Sequence, residues 1–189
     1  LRLVVVRQSI FLYIRLSSKP INHPTMNDRK KVLEYLQSHD IAYECLEHPA
    51  TPTVEEAMKY WKNAPGVQHC KNLFLRNHKG NRHYLVIIPW SKKLDTHRLE
   101  KTIGESRLSF ASEKRMERFL GVKPGSVSLF GLINDENNEV NLILDQDLES
   151  ASGISFHPND NTASLIISHE GFMKFIENCG NSYKFLNLD

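Results

Sequence analysis

Cysteine is scarce in this chain, with Cys45, Cys70 and Cys179 widely separated and no CxxC pair among 189 residues. That spacing gives neither a disulfide framework nor a zinc-binding pattern, and a reducing compartment is the simpler expectation. P-loop and GxGxxG signatures are missing, so no nucleotide-binding fingerprint is expected. The nine histidines include no HExxH spacing. The nearest approach to a ligand pair is His69-Cys70, and adjacent residues on a strand point apart. Neither a metal nor another cofactor is expected. No apolar run is long: Arg7 and Arg15 break 1–16 into pieces far short of the roughly 20 residues a membrane helix needs. An excess of one charge is also lacking, since 24 basic residues face 22 acidic ones. A protein coating nucleic acid without specificity needs more cations than that.

A 40% hydrophobic content over this length is enough for one sizeable core and leaves little room for two. The charges are unevenly placed. Residues 1–25 carry Arg2, Arg7, Arg15 and Lys19 without an acid, giving +4. Residues 91–123 hold nine bases against five acids, again +4, whereas 124–189 hold two against ten, or −8. A local contact with a polyanion is therefore expected through 91–123. Met26 stands just ahead of a helix start, so 1–25 reads as an N-terminal extension: an expression scar, a misassigned start or, from its arginines, an organellar targeting segment. The body, 26–189, is expected to be a single domain in the cytoplasm.

Within that body, Asn27 is placed to cap a helix reaching about 39, with Val32, Leu33 and Leu36 on one face. Ile41, Tyr43 and Cys45 alternate as a strand. Thr53 and Glu56 make a capping box for a helix over about 54–62. Strands near 72–77 and 82–88 flank the turn His78-Lys79-Gly80-Asn81 as a hairpin, and the unbroken Leu85-Val86-Ile87-Ile88 marks a central strand. Helices near 95–103 and 112–120 end at Gly104 and Gly121, with a short strand at 108–110 between them. Strands are expected near 127–133 and 139–144 across the polar turn 134–138, then near 153–157 and 162–167. A helix over 168–179, closed by Gly180, and a strand near 182–187 complete the chain. Helices set between hairpins, without strict βαβ alternation, predict an α+β fold: a mixed, largely antiparallel, curved sheet flanked by helices.

Three polar clusters interrupt this apolar pattern. Lys71 heads the run Lys71-Asn72-Leu73-Phe74-Leu75, and burial of its apolar neighbours holds the ammonium at a cleft rim, where it can meet a phosphate or a carbonyl gaining charge. A solvated lysine is the bland alternative. His157, extended because Pro158 follows it, can orient water or a hydroxyl near neutral pH, though a loop histidine is often mere surface. Gly125 and Gly131 bracket a turn whose amides a ligand could approach, and a plain tight turn after Pro124 fits equally.

Taken in order, His48-Pro49-Ala50, Thr53-Val54-Glu55-Glu56-Ala57, Lys71-Asn72-Leu73-Phe74-Leu75, Leu108-Ser109-Phe110-Ala111, Pro124-Gly125-Ser126-Val127 with Phe130-Gly131-Leu132-Ile133-Asn134-Asp135, and Phe156-His157-Pro158 with Asp160-Asn161-Thr162-Ala163 resemble the prolyl-tRNA synthetase associated editing family, the YbaK-like superfamily. The resemblance runs from about 28 to 188 and is nearest to free-standing deacylases of alanyl-tRNA(Pro). It implies a trans-editing hydrolase needing no cofactor and meeting the acceptor end of tRNA(Pro), with prolyl-tRNA synthetase or an elongation factor as further partners. It also implies that Lys71 and His157 are catalytic, and that Asn72, Gly125, Ser126, Phe130 and Asn161 bind substrate. Ser128-Leu129 departs from relatives that carry a proline before the Phe-Gly pair, which bears on the shape of the pocket. Relatives acting on cysteinyl, seryl or threonyl tRNA, or an inactive tRNA-binding module, are the competing readings.

Overall fold

Strand β4 (His83–Pro89) is buried along its whole length, as its continuous apolar sequence requires of a strand covered on both faces. It lies between β3 (Val67–Arg76), antiparallel to it, and β6 (Val140–Asp145), parallel to it. The computed structural model describes residues 4–5, 25–50 and 66–189. The helix expected over 54–62 lies outside them. The remaining strands are β1 (Val4–Val5), β2 (Tyr43–Glu47), β5 (Ser109–Phe110), β7 (Gly153–Phe156), β8 (Ala163–Ser168) and β9 (Tyr183–Leu186). The helices are α1 (Thr25–Ser38), α2 (Thr96–Ile103), α3 (Glu113–Leu120) and α4 (His169–Cys179).

Among the described residues these strands form one sheet in the order β1-β2-β8-β7-β3-β4-β6-β9, with β5 added to β3. Five ladders are antiparallel and three are parallel, so the mixed, largely antiparallel α+β sheet expected from the sequence is what is found. Val4 and Val5 pair with Cys45 and Glu44 at one sheet edge.

Alternation of side chains divides the core in two. Phe74, Leu85, Ile87, Leu142, Ile154, Phe156 and Leu165 face one side with Leu36, Phe119, Phe172 and Phe175 from the helices. Leu75, Tyr84, Val86, Ile88 and Ile143 face the other, under Leu99 of α2 and Leu108. Local chemistry fixes the helix ends. Asp95 accepts bonds from the amides of His97 and Arg98, and Gly104 closes α2 in the left-handed conformation.

Two expectations are corrected. Residues 127–133 do not form a strand: Leu129–Asn134 is a 3₁₀ helix. The apolar run reads locally as a strand, but the tight winding lets Leu129, Phe130 and Leu132 all enter the core. Gly131 permits the packing, since a Cβ there would sit 2.9 Å from Leu120 Cβ. In addition, Lys71 does not head its strand, because β3 already begins at Val67 and Lys71 lies near its middle.

The early part of β3 serves a different neighbour from the rest. Val67, Gln68 and His69 pair with β7, whereas Cys70 to Arg76 pair with β4. On the edge away from β4, β7 takes one end of β3 and β5 takes Leu75 and Arg76 at the other. Ala111 N also donates to Phe74 O at 2.8 Å. Residues 70–73 therefore have no strand partner on that edge among the described residues, and this unpaired stretch is a window in the sheet they form.

Candidate active site

The β3–β7 ladder advances in step, Val67 with Gly153, Gln68 with Ile154 and His69 with Ser155. Counted two steps past its last pair, this register sets Lys71 against His157, which lies beyond the end of β7 and outside the ladder. Lys71 itself lies on the sheet face opposite Phe74, at one end of the window.

Lys71 is half-buried, and its Nζ donates to the carbonyl oxygen of Lys92 at 2.9 Å. An ammonium carries three donors, so this bond leaves two to point elsewhere. Lys92 belongs to the turn leaving β4, where Trp90 N donates to His69 O at 2.9 Å and Lys92 N to Pro89 O at 3.0 Å. The Lys92 Nζ meets Asp145 at 3.0 Å, Asp147 at 2.9 Å and Asp189 at 2.6 Å. Burial pulls the Lys92 pKa down, but its hydrogen bonds to Asp189, Asp147 and Asp145 outweigh that and hold it above the ordinary lysine value.

The His157 ring sits with Nδ1 3.0 Å from the carbonyl oxygen of Ala163. A carbonyl only accepts, so Nδ1 carries the proton and Nε2 presents a lone pair in the neutral ring. Burial is the largest influence on this imidazole and lowers its pKa. The Ala163 bond opposes it, nearby His48 adds to it and Asp160 opposes it, leaving the pKa below the usual 6.5. The His48 ring lies edge-on to His157 at 6.0 Å. Its Nδ1 bonds the carbonyl of Pro49 at 2.9 Å, and its Nε2 meets Ser164 Oγ at 3.0 Å.

The turn after α3 is tied to the His157 loop. Buried Ser128 donates from Oγ to the His157 carbonyl at 2.5 Å and accepts from Phe130 N at 3.3 Å. Asn159, in the left-handed region at φ 57°, donates from Nδ2 to Phe130 O at 3.3 Å. Two of the three clusters noted in the sequence are thereby joined, and the strand that carries the third, β3, pairs with β7 just ahead of the His157 loop.

The other expected residues divide. Gly125 is exposed, and its φ of +85° is the reason for glycine, because a Cβ there would meet nothing within 4 Å. Half-buried Ser126 closes the turn through its amide to Lys123 O at 3.1 Å. Asn161 is half-buried beside Asp160, whose carboxylate accepts from the amide and hydroxyl of Thr162 at 2.8 Å each. Asn72 projects to the face opposite Lys71, with Oδ1 buried and no hydrogen-bond partner among the described residues. The ring of Phe130 is fully buried, edge-on to Phe156 at 5.7 Å and Phe175 at 5.1 Å. It is a core residue, and only its carbonyl meets the His157 loop.

Sequence reasoning did not single out Ser128 as the link, Asn159 as the second tie, His48 as the ring beside His157, or Lys92 as the carbonyl partner of Lys71. His48 and Asn159 lay within recognisable segments. Lys92 gave no local signal, since its role depends on a strand 53 residues away. No group of three or more His, Cys, Asp or Glu among the described residues is placed to hold a metal ion.

The sequence model described as an aminoacyl-tRNA editing domain matches residues 48–175. The chain belongs to that family. The prolyl-tRNA editing protein ProX of Acetoanaerobium sticklandii is 38% identical over 164 residues, covering 86% of this chain and 99% of that protein. Prolyl-tRNA synthetase associated domain-containing protein 1 of Danio rerio is 31% identical over 163 residues, covering 85% and 88%. Among solved structures, one described as a candidate trans-editing enzyme for prolyl-tRNA synthetase shares the fold with a TM-score of 0.62 at 17% identity, covering 85% of this chain and 96% of that one. The editing-domain match takes in the window in β3, the Ser128 turn and the His157 loop.

Proposed function

We propose that this chain is a trans-editing aminoacyl-tRNA deacylase that hydrolyses the ester of alanine mischarged to tRNA(Pro), with Lys71 and His157 as its catalytic residues. Family membership supports the editing reaction, and the name of the Acetoanaerobium relative supports the prolyl system. What supports the assignment of residues is the β3–β7 register, which pairs the strand bearing Lys71 with the strand that leads into the His157 loop.

An aminoacyl ester needs little beyond positioning, a proton acceptor and relief of the charge that gathers on its carbonyl oxygen. A free Lys71 donor meets that oxygen, while the carbonyl of Lys92 keeps the ammonium from swinging away. Nε2 of neutral His157 accepts a proton from the attacking water or the vicinal ribose hydroxyl. Its Nδ1 stays on Ala163 O, so the ring does not turn as the proton moves. The Ser128 and Asn159 ties hold the loop against the turn that bears Gly125 and Ser126, and those two residues and Asn161 wall the aminoacyl group, while Asn72 stands on the opposite face of the sheet. Proline is excluded by bulk where alanine's methyl fits, the logic of a size sieve. The acceptor end lies along the basic 91–123 segment, and prolyl-tRNA synthetase is the enzyme whose errors are corrected. The protein works where translation does, in the cytoplasm. No helix among the described residues is long and apolar enough to cross a membrane.

The test is a panel of tRNAs charged with alanine, proline, cysteine, serine or threonine. Release of alanine from tRNA(Pro) with proline left in place is expected. Faster release of another amino acid would reassign the substrate, and tRNA binding without release of any would replace the enzyme with a binding module.

A further inference from the structure

Phe110 is 66% exposed, the most exposed large hydrophobic side chain among the described residues. It lies in β5, paired with Leu75 of β3, on the edge that β7 takes at the other end. Leu75 and Lys71 are four residues apart on one strand, so Phe110 stands on the sheet face that bears Lys71, about 13 Å along it. The window in β3 therefore has the β7 pairing at one end and an exposed aromatic ring at the other. Exposed Arg107 and Lys114 flank Phe110 in sequence with exposed Glu113 between, and α3 adds exposed Glu117 and Arg118, a small basic excess. Arg76, paired with Ser109, turns its guanidinium onto the carbonyls of Asn77 and His78.

We propose that Phe110 is a stacking platform for an unpaired base in the 3′-terminal single strand of the tRNA, one of the nucleotides preceding the esterified ribose. This rests on the deacylase reading and extends it to how the nucleic acid is held. Aromatic rings among cations are the common means of binding single strands, because every base offers a π-face whatever its identity. A short single strand whose terminal ester lies at Lys71 passes along the unpaired edge of β3 toward Phe110. Stacking there sets the depth to which the ester enters. The cations supply salt-dependent attraction to the phosphates without reading sequence. A lone exposed phenylalanine is ordinary on a protein surface. Its position on the Lys71 face, at the far end of the unpaired edge from β7, sets this one apart.

The probes are two RNA hairpins that differ only in the presence of a single-stranded 3′ overhang ending in CCA. Phe110→Ala is expected to weaken binding of the overhang hairpin about 5- to 150-fold and to leave the blunt hairpin and the thermal midpoint unchanged. Phe110→Trp is expected to restore the affinity. Equal loss on both hairpins, no loss on either, or no RNA binding by the wild-type protein would each overturn the proposal. Deacylation is assayed separately, so a wild-type protein that releases no amino acid from any charged tRNA refutes the deacylase reading, while the hairpin comparison still decides on Phe110.

Discussion

The side chain of Lys71 is held by the backbone of Lys92: Nζ donates to the Lys92 carbonyl oxygen at 2.9 Å. Lys92 in turn anchors its own turn through the fully buried carboxylate of Asp145. Two lysines of like charge are thereby kept together without repelling one another, since one offers its carbonyl and commits its ammonium to carboxylates.

Removing the anchor tests that relay. Lys92→Met leaves Asp145 buried without its cation, and breaking such a pair costs about 3 kcal/mol or more. The expected result is a lower urea midpoint together with a reduced kcat for deacylation, because the turn that fixes Lys71 is loosened. Lys92→Arg, which keeps the cation, recovers most of the stability. An unchanged kcat in Lys92→Met would dissociate Lys71 from the turn.

Ser128→Ala deletes both the bond to the His157 carbonyl and the bond accepted from Phe130 N. A buried bond combined with a helix cap is worth about 1–2 kcal/mol, to be read from chemical unfolding. Deacylation is expected to fall as well, with a larger effect on kcat than on KM, because the loop that carries the imidazole loses its tie to the turn after α3.

Acid acts through two histidines with depressed pKa values. In the proposed reaction His157 accepts a proton, and its pKa is held below 6.5, so activity is expected to stay level from mildly alkaline pH down past 6.5 and to fall only in more acid solution. His83 is lowered to about 4, first by burial and then by Arg115 and Arg118. Arg115 also donates to its Nε2 at 2.6 Å, a bond that requires the neutral ring. A group with a depressed pKa lends stability in full above its unfolded value and loses it as pH falls toward the folded one. Stability measured by unfolding should therefore decline between pH 6.5 and about 4. The decline should be shallower in His83→Gln.

Much of the fold was legible in the sequence because its signals are local. The apolar run Leu85-Val86-Ile87-Ile88 marked a strand covered on both faces, and Gly104, Gly121 and Gly180 marked helix ends at left-handed caps. The segment after Val127 misled because Leu129, Phe130, Leu132 and Ile133 suit a strand as well as a 3₁₀ turn, and only contacts with Leu120 and the His157 loop decide between them. The start of β3 was hidden since Val67 to His69 find their partners 86 residues later, in β7. Of the site, Lys71 and His157 were legible as polar breaks in apolar sequence. The pairing of the strands that carry or precede them was not, because it is a parallel ladder between distant segments. Phe130 illustrates the converse, a residue in a recognisable segment whose side chain serves the core.

The most direct measurement is single-turnover release of alanine from tRNA(Pro) by the wild-type protein and by Lys71→Ala at matched, saturating enzyme. Loss of a donor to the developing oxyanion is expected to slow the step about 100- to 1,000-fold, with the thermal midpoint and tRNA affinity retained. Release at the wild-type rate by a folded Lys71→Ala protein would contradict a catalytic role for the lysine in the β3 window.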